Sequence, residues 1–299
     1  MYRALSRQAF SKPIDITSLS ASYLCVCHTQ RHVLEPTYPG ITGNYLNLGS
    51  FYDAESLRPK AAAAKENVRA YQTLYARAYA CIAAANGVAG QLTEHIIDDT
   101  IRAIVQKRTR GIIAREIGNS KKNGGTGRVT KRFLSALTYQ GYQTRYDTAE
   151  SHAERIYHLD NTMGLAHDML TGITAAAVEA GYDCITCPAP LNPERLEHLI
   201  IPALSLAFVS STQLASYEKP SYRHIRLDAI ADGENLRAQK QKIRFSKKIF
   251  NLLISEAVTI LGDAKTLHDE LEEMYNPHVD FDGVYALAEE HLQKLLAES

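Results

Sequence analysis

The sequence predicts an α/β protein: a parallel sheet with flanking helices, in two related halves of which the first is incomplete. Three observations lead there. Residues 155–211 alternate between short apolar runs and a helical period. A charged motif occurs twice, once toward each end of the chain. The 299 residues are 45% hydrophobic and 22% charged, ordinary globular usage with enough apolar material for a packed core.

The elements of the clearest stretch follow in order. Residues 155–159, Arg-Ile-Tyr-His-Leu, read as a short strand, and 160–163 as a loop. Residues 164–180 read as a helix, because Leu165, Met169, Leu170, Ile173, Ala177 and Val178 recur near 3.6 spacing. Gly181 stands where a helix C-terminal glycine belongs. Residues 182–187 form the next strand. Asn192-Pro193-Glu194 opens a second helix, with Asn as N-cap and Pro in the first turn. Residues 204–210 are apolar enough for a buried strand. Strand, helix, strand, helix, strand implies a parallel sheet with right-handed crossovers.

The repeat extends this reading to the whole chain. Leu48 is followed by Asp53, Glu55, Leu57 and Arg58, and Leu227 by Asp232, Glu234, Leu236 and Arg237. Both copies lead into long helical stretches, 54–85 and 234–275. A weaker echo links Ile16, Leu19 and Thr29-Gln30 with Ile201, Leu204 and Thr212-Gln213. The counterpart of the 155–168 strand and loop then falls before Met1, so the chain reads as a fragment or as a decayed two-domain protein. Residues 118–131 are Gly-rich, basic and without periodicity, and read as an exposed linker. The expected domains are therefore 1–117, an incomplete half with a late strand and helices, and 132–299, a nearly whole half with C-terminal helices.

Charge and cysteine usage narrow the setting. Lys plus Arg and Asp plus Glu are 33 each, so there is no general attraction to nucleic acid or an anionic membrane. The basic run Arg237, Lys240, Lys242, Arg244, Lys247 and Lys248 reads as a solvated helix face rather than a nucleic-acid surface. There is no apolar run of transmembrane length and no signal-peptide core at the start. Five cysteines, an odd number in a large chain, fit free thiols in a reducing cytoplasm.

The loop at 160–169 holds the chemical interest. It leaves a strand and opens a helix, which is where backbone N–H groups and a helix N-terminus meet phosphate. Such a loop needs glycines, a Lys for the terminal phosphates and Ser or Thr for Mg²⁺. Here the run is Asn161-Thr-Met-Gly164-Leu-Ala-His167-Asp168. Gly164 fits a glycine position, His167 stands at the Lys position and Asp168 at the Ser/Thr position. Asp at a helix start suits the dipole but repels phosphate. Two readings stay open: a turn capped by polar groups, or nucleotide binding retained at Gly164, His167 and Asp168, with ATP and Mg²⁺ as cofactors.

These residues and their surroundings resemble a bacterial family of duplicated P-loop ATPases, also described as nucleotide-kinase-like. The similar pieces are 155–170, Gly181-Tyr182-Asp183, Cys187-Pro188, Pro193-Glu194, 198–202 (His-Leu-Ile-Ile-Pro) and the run from Arg132 to Gly141. In the first half, His32, 36–40 (Pro-Thr-Tyr-Pro-Gly) and Asn47-Leu-Gly49 are similar to the stretch after that family's first core strand. The resemblance covers most of the chain. It implies a P-loop NTPase-like sheet in two halves and an ATPase ancestry. The departures are equally specific. The first P-loop is missing, Cys27 replaces an acidic residue at a strand end, and the second loop lacks its Lys and Ser/Thr. The implied function is a degenerate P-loop protein with weak or absent NTP hydrolysis and a binding or scaffold role toward a protein partner. The alternative is a working ATP-binding enzyme.

Other constellations compete. Cys184 and Cys187 have the spacing of a metal or redox pair, with Cys25, Cys27, His28 and His32 as further ligands, but strand alternation would put the pair on opposite faces. Residues 124–130, Gly-Gly-Thr-Gly-Arg-Val-Thr, lack a Lys at the right place and read as linker. His268 and Glu272 form an i,i+4 pair with no third ligand evident.

Overall fold

The computed structural model describes residues 46–118, 125–231 and 239–297. They divide into two compact units, one drawn from 46–70 and 266–297, the other from 71–265. The expected boundary at 118–131 is not where the units part. Residues 1–45 of the half expected over 1–117 lie outside the described residues, as do 232–238 of the second motif copy.

In the smaller unit, the first motif copy caps a short helix. The Asp53 carboxylate accepts from the Glu55 and Ser56 amides at the start of α1 (Ala54–Leu57). Pro59 follows, and a 3₁₀ turn separates α1 from α2 (Ala61–Ile96). The expected helix at 54–85 is therefore broken near its start and runs on further. Tyr52 bridges Val279 and meets Tyr275 edge-on, ring centroids 5.8 Å apart. Lys60 Nζ lies 2.9 Å from His278 Nε2.

The larger unit is built on a six-stranded sheet. Its elements are α3 (Asp99–Glu116), β1 (Val129–Lys131), the hairpin β2 (Ser135–Thr138) and β3 (Gly141–Thr144), α4 (Tyr146–Ser151), β4 (Arg155–Asp160), α5 (Ala166–Glu179), β5 (Cys184–Ala189), β6 (Asn192–Ile201), β7 (Leu206–Ser211) and β8 (Arg223–Ile225). The long helix α6 (Lys240–Tyr275) and α7 (Phe281–Ala297) close the chain. The sheet order is β1-β5-β6-β7-β4-β8, and β2–β3 pair separately. β1 pairs parallel with β5, and β4 parallel with both β7 and β8. β6 runs antiparallel to β5 and β7.

Two expectations change here. The second helix expected from Asn192 is strand β6. Asn192 Oδ1 does accept from the Glu194 amide, at 3.3 Å, as a helix cap would, but this turn opens a hairpin with β5. The unit is thus βαβββ where βαβαβ was expected. The expected linker also ends in a strand: Val129 to Lys131 register against Cys184 to Thr186 and form one edge of the sheet among the described residues. An exposed edge strand has no apolar face to show in sequence.

Helix α5 ends as Gly181 foretold. Gly181, at φ +86°, donates to Val178 O, and the Tyr182 amide reaches back to Ala177 O, a Schellman arrangement. Strand alternation sorts the core onto two faces. Tyr157, Leu159, Leu199, Ile201, Leu206 and Phe208 pack with α3 and α5 residues. Ile156, Cys187, Ile200, Ala207 and Val209 pack on the other face with Leu134, Ala149, Ala153 and Tyr217. Among the described residues no helix is long and apolar enough to cross a membrane. The α6 part of the basic run is solvated, with Lys240, Lys242, Arg244 and Lys248 exposed.

Candidate functional site

The β4–α5 loop sits at the C-terminal end of a strand inside a largely parallel sheet, the usual place for ligands in such sheets. Gly164 takes φ +74°, a conformation that favours glycine. Asn161 caps the following helix, its Oδ1 accepting from the Ala166 amide at 2.8 Å.

The remaining loop donors converge on a carboxylate from elsewhere in the chain. Asp228, in the turn after β8, accepts from the Thr162 amide at 3.0 Å, the Thr162 hydroxyl at 2.8 Å and the Met163 amide at 3.1 Å. A carboxylate thus occupies the N–H groups that a phosphate would need.

The three expected site residues are also engaged. Gly164 O accepts from Arg195 Nη2 at 2.6 Å. His167 Nδ1 accepts from the Leu196 amide at 3.0 Å, which anchors α5 to β6. Burial, then the Arg195 charge, push the His167 imidazole below its ordinary value, so it is a neutral acceptor there. Asp168 pairs with Arg102 at 3.2 Å in an exposed salt bridge.

The cysteine pair does not converge. Cys184 is buried in the α3/α5 core and Cys187 in the core of the opposite face. Burial pushes both thiols up to about 12, where the reactive thiolate is scarce. Asp269 joins His268 and Glu272 as the third potential ligand that the sequence reading did not find, all on the surface of one helix.

Two buried polar networks flank the sheet. On the α3/α5 face, Glu116 accepts from Tyr157 Oη at 2.5 Å and Arg115 Nε at 3.0 Å, and pairs with Arg155. On the other face, Glu197 accepts from Ser135 Oγ, Tyr142 Oη and His198 Nε2, each at 2.8 Å. The Ser210 amide donates to His198 Nδ1 at 3.1 Å, so the ring proton sits on Nε2. Glu197 and His198 share a face because β6 bulges there: Cys187 opposes His198 while Pro188 opposes Leu196. Ser135, Glu197 and His198 form a hydroxyl–imidazole–carboxylate set, but all are buried, with Ser135 2% exposed. They tie the β2–β3 hairpin to β6 of the sheet.

One open groove of about 710 Å³ runs beside α3 and β8. It is lined in part by Arg108, Arg115, Arg223 and Arg226, which give it a cationic wall.

Compared with known proteins, the chain matches no family model, no curated protein and no solved structure.

Sequence reasoning missed Asp228, whose only signal is proximity to the repeated motif. It also missed His158, Asp160 and His224, for which the His-x-Asp alternation on β4 was the available cue.

Proposed function

We propose that this chain is a P-loop-derived α/β protein in which the phosphate loop has become a structural turn, and that it binds rather than hydrolyses. The observation that carries this reading is the Asp228 carboxylate seated on the Thr162 and Met163 amides. An entering triphosphate would have to displace that anion, and it would meet no Lys to stabilise its charge and no Ser or Thr at position 168 to hold Mg²⁺. Asp168 would repel it. The arginine-lined groove supports a binding role toward an anionic protein surface, because guanidiniums recognise carboxylates bidentately.

Thermal unfolding of the purified chain with and without millimolar MgATP and MgGTP tests the proposal. Nucleotide at about 100 times its Kd would add about 2.7 kcal/mol to the folded state. The expected result is no shift in melting temperature. A clear shift that His167→Ala reduces would overturn the reading and restore the enzyme alternative.

A further inference from the structure

We propose that His158, Asp160 and His224 form a binding site for a divalent transition metal of the zinc class. The inference goes beyond the binding role above and does not depend on it.

The site is built by strand geometry. His158 and Asp160 are two residues apart on β4, so both project from one face, the face away from α3 and α5. His224 is the register partner of His158 on the adjacent parallel strand β8. Backbone pairing therefore sets all three side chains side by side. The imidazole rings of His158 and His224 lie parallel, 4.3 Å apart with planes inclined by 4°. His224 Nε2 lies 2.6 Å from Asp160 Oδ1. One donor atom from each of the three residues falls within 4.8 Å of the others.

Zinc bonds of about 2.0–2.2 Å in tetrahedral geometry place ligand atoms roughly 3.3 Å apart. Metal binding would draw the three donor atoms from within 4.8 Å of one another to that spacing. Two imidazoles and one carboxylate are also the donor set that zinc and its neighbours accept, whereas Mg²⁺ and Ca²⁺ ask for oxygen.

A supporting shell is present. Ser211 Oγ lies 2.7 Å from His158 Nε2 and accepts from the Tyr217 amide at 2.8 Å. With His158 Nε2–H donating to that oxygen, Nδ1 is left with its lone pair for a metal. Tyr217 packs edge-on against the His158 ring at 5.5 Å. The His224 side chain is 41% exposed, so the outer side of the site opens to solvent. The result is three protein ligands and one position for water, the pattern of zinc sites that act on a ligand rather than only brace a fold. Binding replaces the His224–Asp160 hydrogen bond with two metal bonds, the single ring proton of His224 passing from Nε2 to Nδ1 so that the Nε2 lone pair faces the metal.

The cluster at His268, Asp269 and Glu272 is the internal rival. Its ligands lie along a single helix surface, and each makes other interactions. Those on β4 and β8 are fixed by two paired strands.

The test is equilibrium dialysis of the chelator-stripped full chain against zinc alone, read as bound metal per chain. Wild type and His268→Ala should each retain one zinc at β4/β8. His224→Gln, which keeps a hydrogen-bond donor toward Asp160, and Asp160→Asn should each weaken it at least tenfold. Circular dichroism melting of the stripped variants reports folding separately. The proposal is overturned if wild type takes up no stoichiometric zinc, if the His224→Gln and Asp160→Asn proteins bind it undiminished, or if His268→Ala abolishes it.

Discussion

On the α3/α5 face of the sheet, Glu116 is held by Arg115, Arg155 and Tyr157. On the opposite face, Glu197 is held by Ser135, Tyr142 and His198. Both carboxylates are buried. Burial pushes each of them up, and the bonds they accept outweigh it and hold them below the usual carboxylate value. The difference lies in what the neighbours can do alone. The Arg115 and Arg155 side chains are 40% and 37% exposed, so water can take over their charge if Glu116 is lost. Ser135 and His198 are buried, at 2% and 0% exposure, so in place of water they have only each other and Thr144 Oγ1, at 3.1 Å. The cost of breaking a buried ion site is set by the groups left behind more than by the group removed.

Substitution measures that difference directly. Glu197→Ala removes the shared acceptor of two buried donors, Ser135 and His198, and of the half-buried Tyr142 hydroxyl, and should destabilise the unit by about 3–5 kcal/mol. Glu116→Ala should cost about 1–3 kcal/mol. Urea unfolding of both variants gives the comparison, and a Glu116→Ala loss equal to or larger than that of Glu197→Ala would contradict it.

Acid stability gives the next effect. A carboxyl whose folded value is lowered contributes stability that is fully present above the ordinary carboxylate range. That contribution is lost as pH falls through the folded value. Glu197→Gln removes this titration, so its unfolding free energy should fall less steeply below the carboxylate range than that of wild type. Parallel acid limbs for the two proteins would mean that Glu197 carries no such linkage.

The smallest effect concerns the loop. Asp228 serves the Thr162 and Met163 amides as an N-cap would, so Asp228→Ala should cost about 1 kcal/mol. The same change frees two converging amides. If the carboxylate is what keeps the loop closed to anions, millimolar phosphate should raise the melting temperature of the variant and leave wild type unmoved. Equal responses would assign the closure to something else.

Much of the fold could be read from the chain. The β4–α5–β5 succession and β7 are legible because buried strands and an amphipathic helix each impose a period on apolar residues. Strand β6 is not legible from its opening. Asn192 and Pro193 make the same local turn at a helix start and at a hairpin, and only pairing with β5 decides which follows. Strand β1 escapes because its three residues are partly or wholly exposed at the edge. At the candidate site, that His stands at position 167 and Asp at 168, where a phosphate-binding loop would need Lys and Ser or Thr, was plain in the sequence. Asp228 and His224 were not, because each reaches its target across more than sixty residues of chain, and sequence spacing carries no trace of that closure.

Among the described residues, the two outermost strands of the sheet are three residues each, and both are flanked by basic side chains: Arg128, Lys131 and Arg132 at β1, Arg223 and Arg226 at β8. Two chains meeting β8 against β8 would bring like charges together over a very short ladder. Edge-to-edge self-association, the route by which open sheets grow into fibrils, is disfavoured at both ends by length and by charge. Neutralising Arg223 and Arg226 would remove half of that safeguard without touching the core.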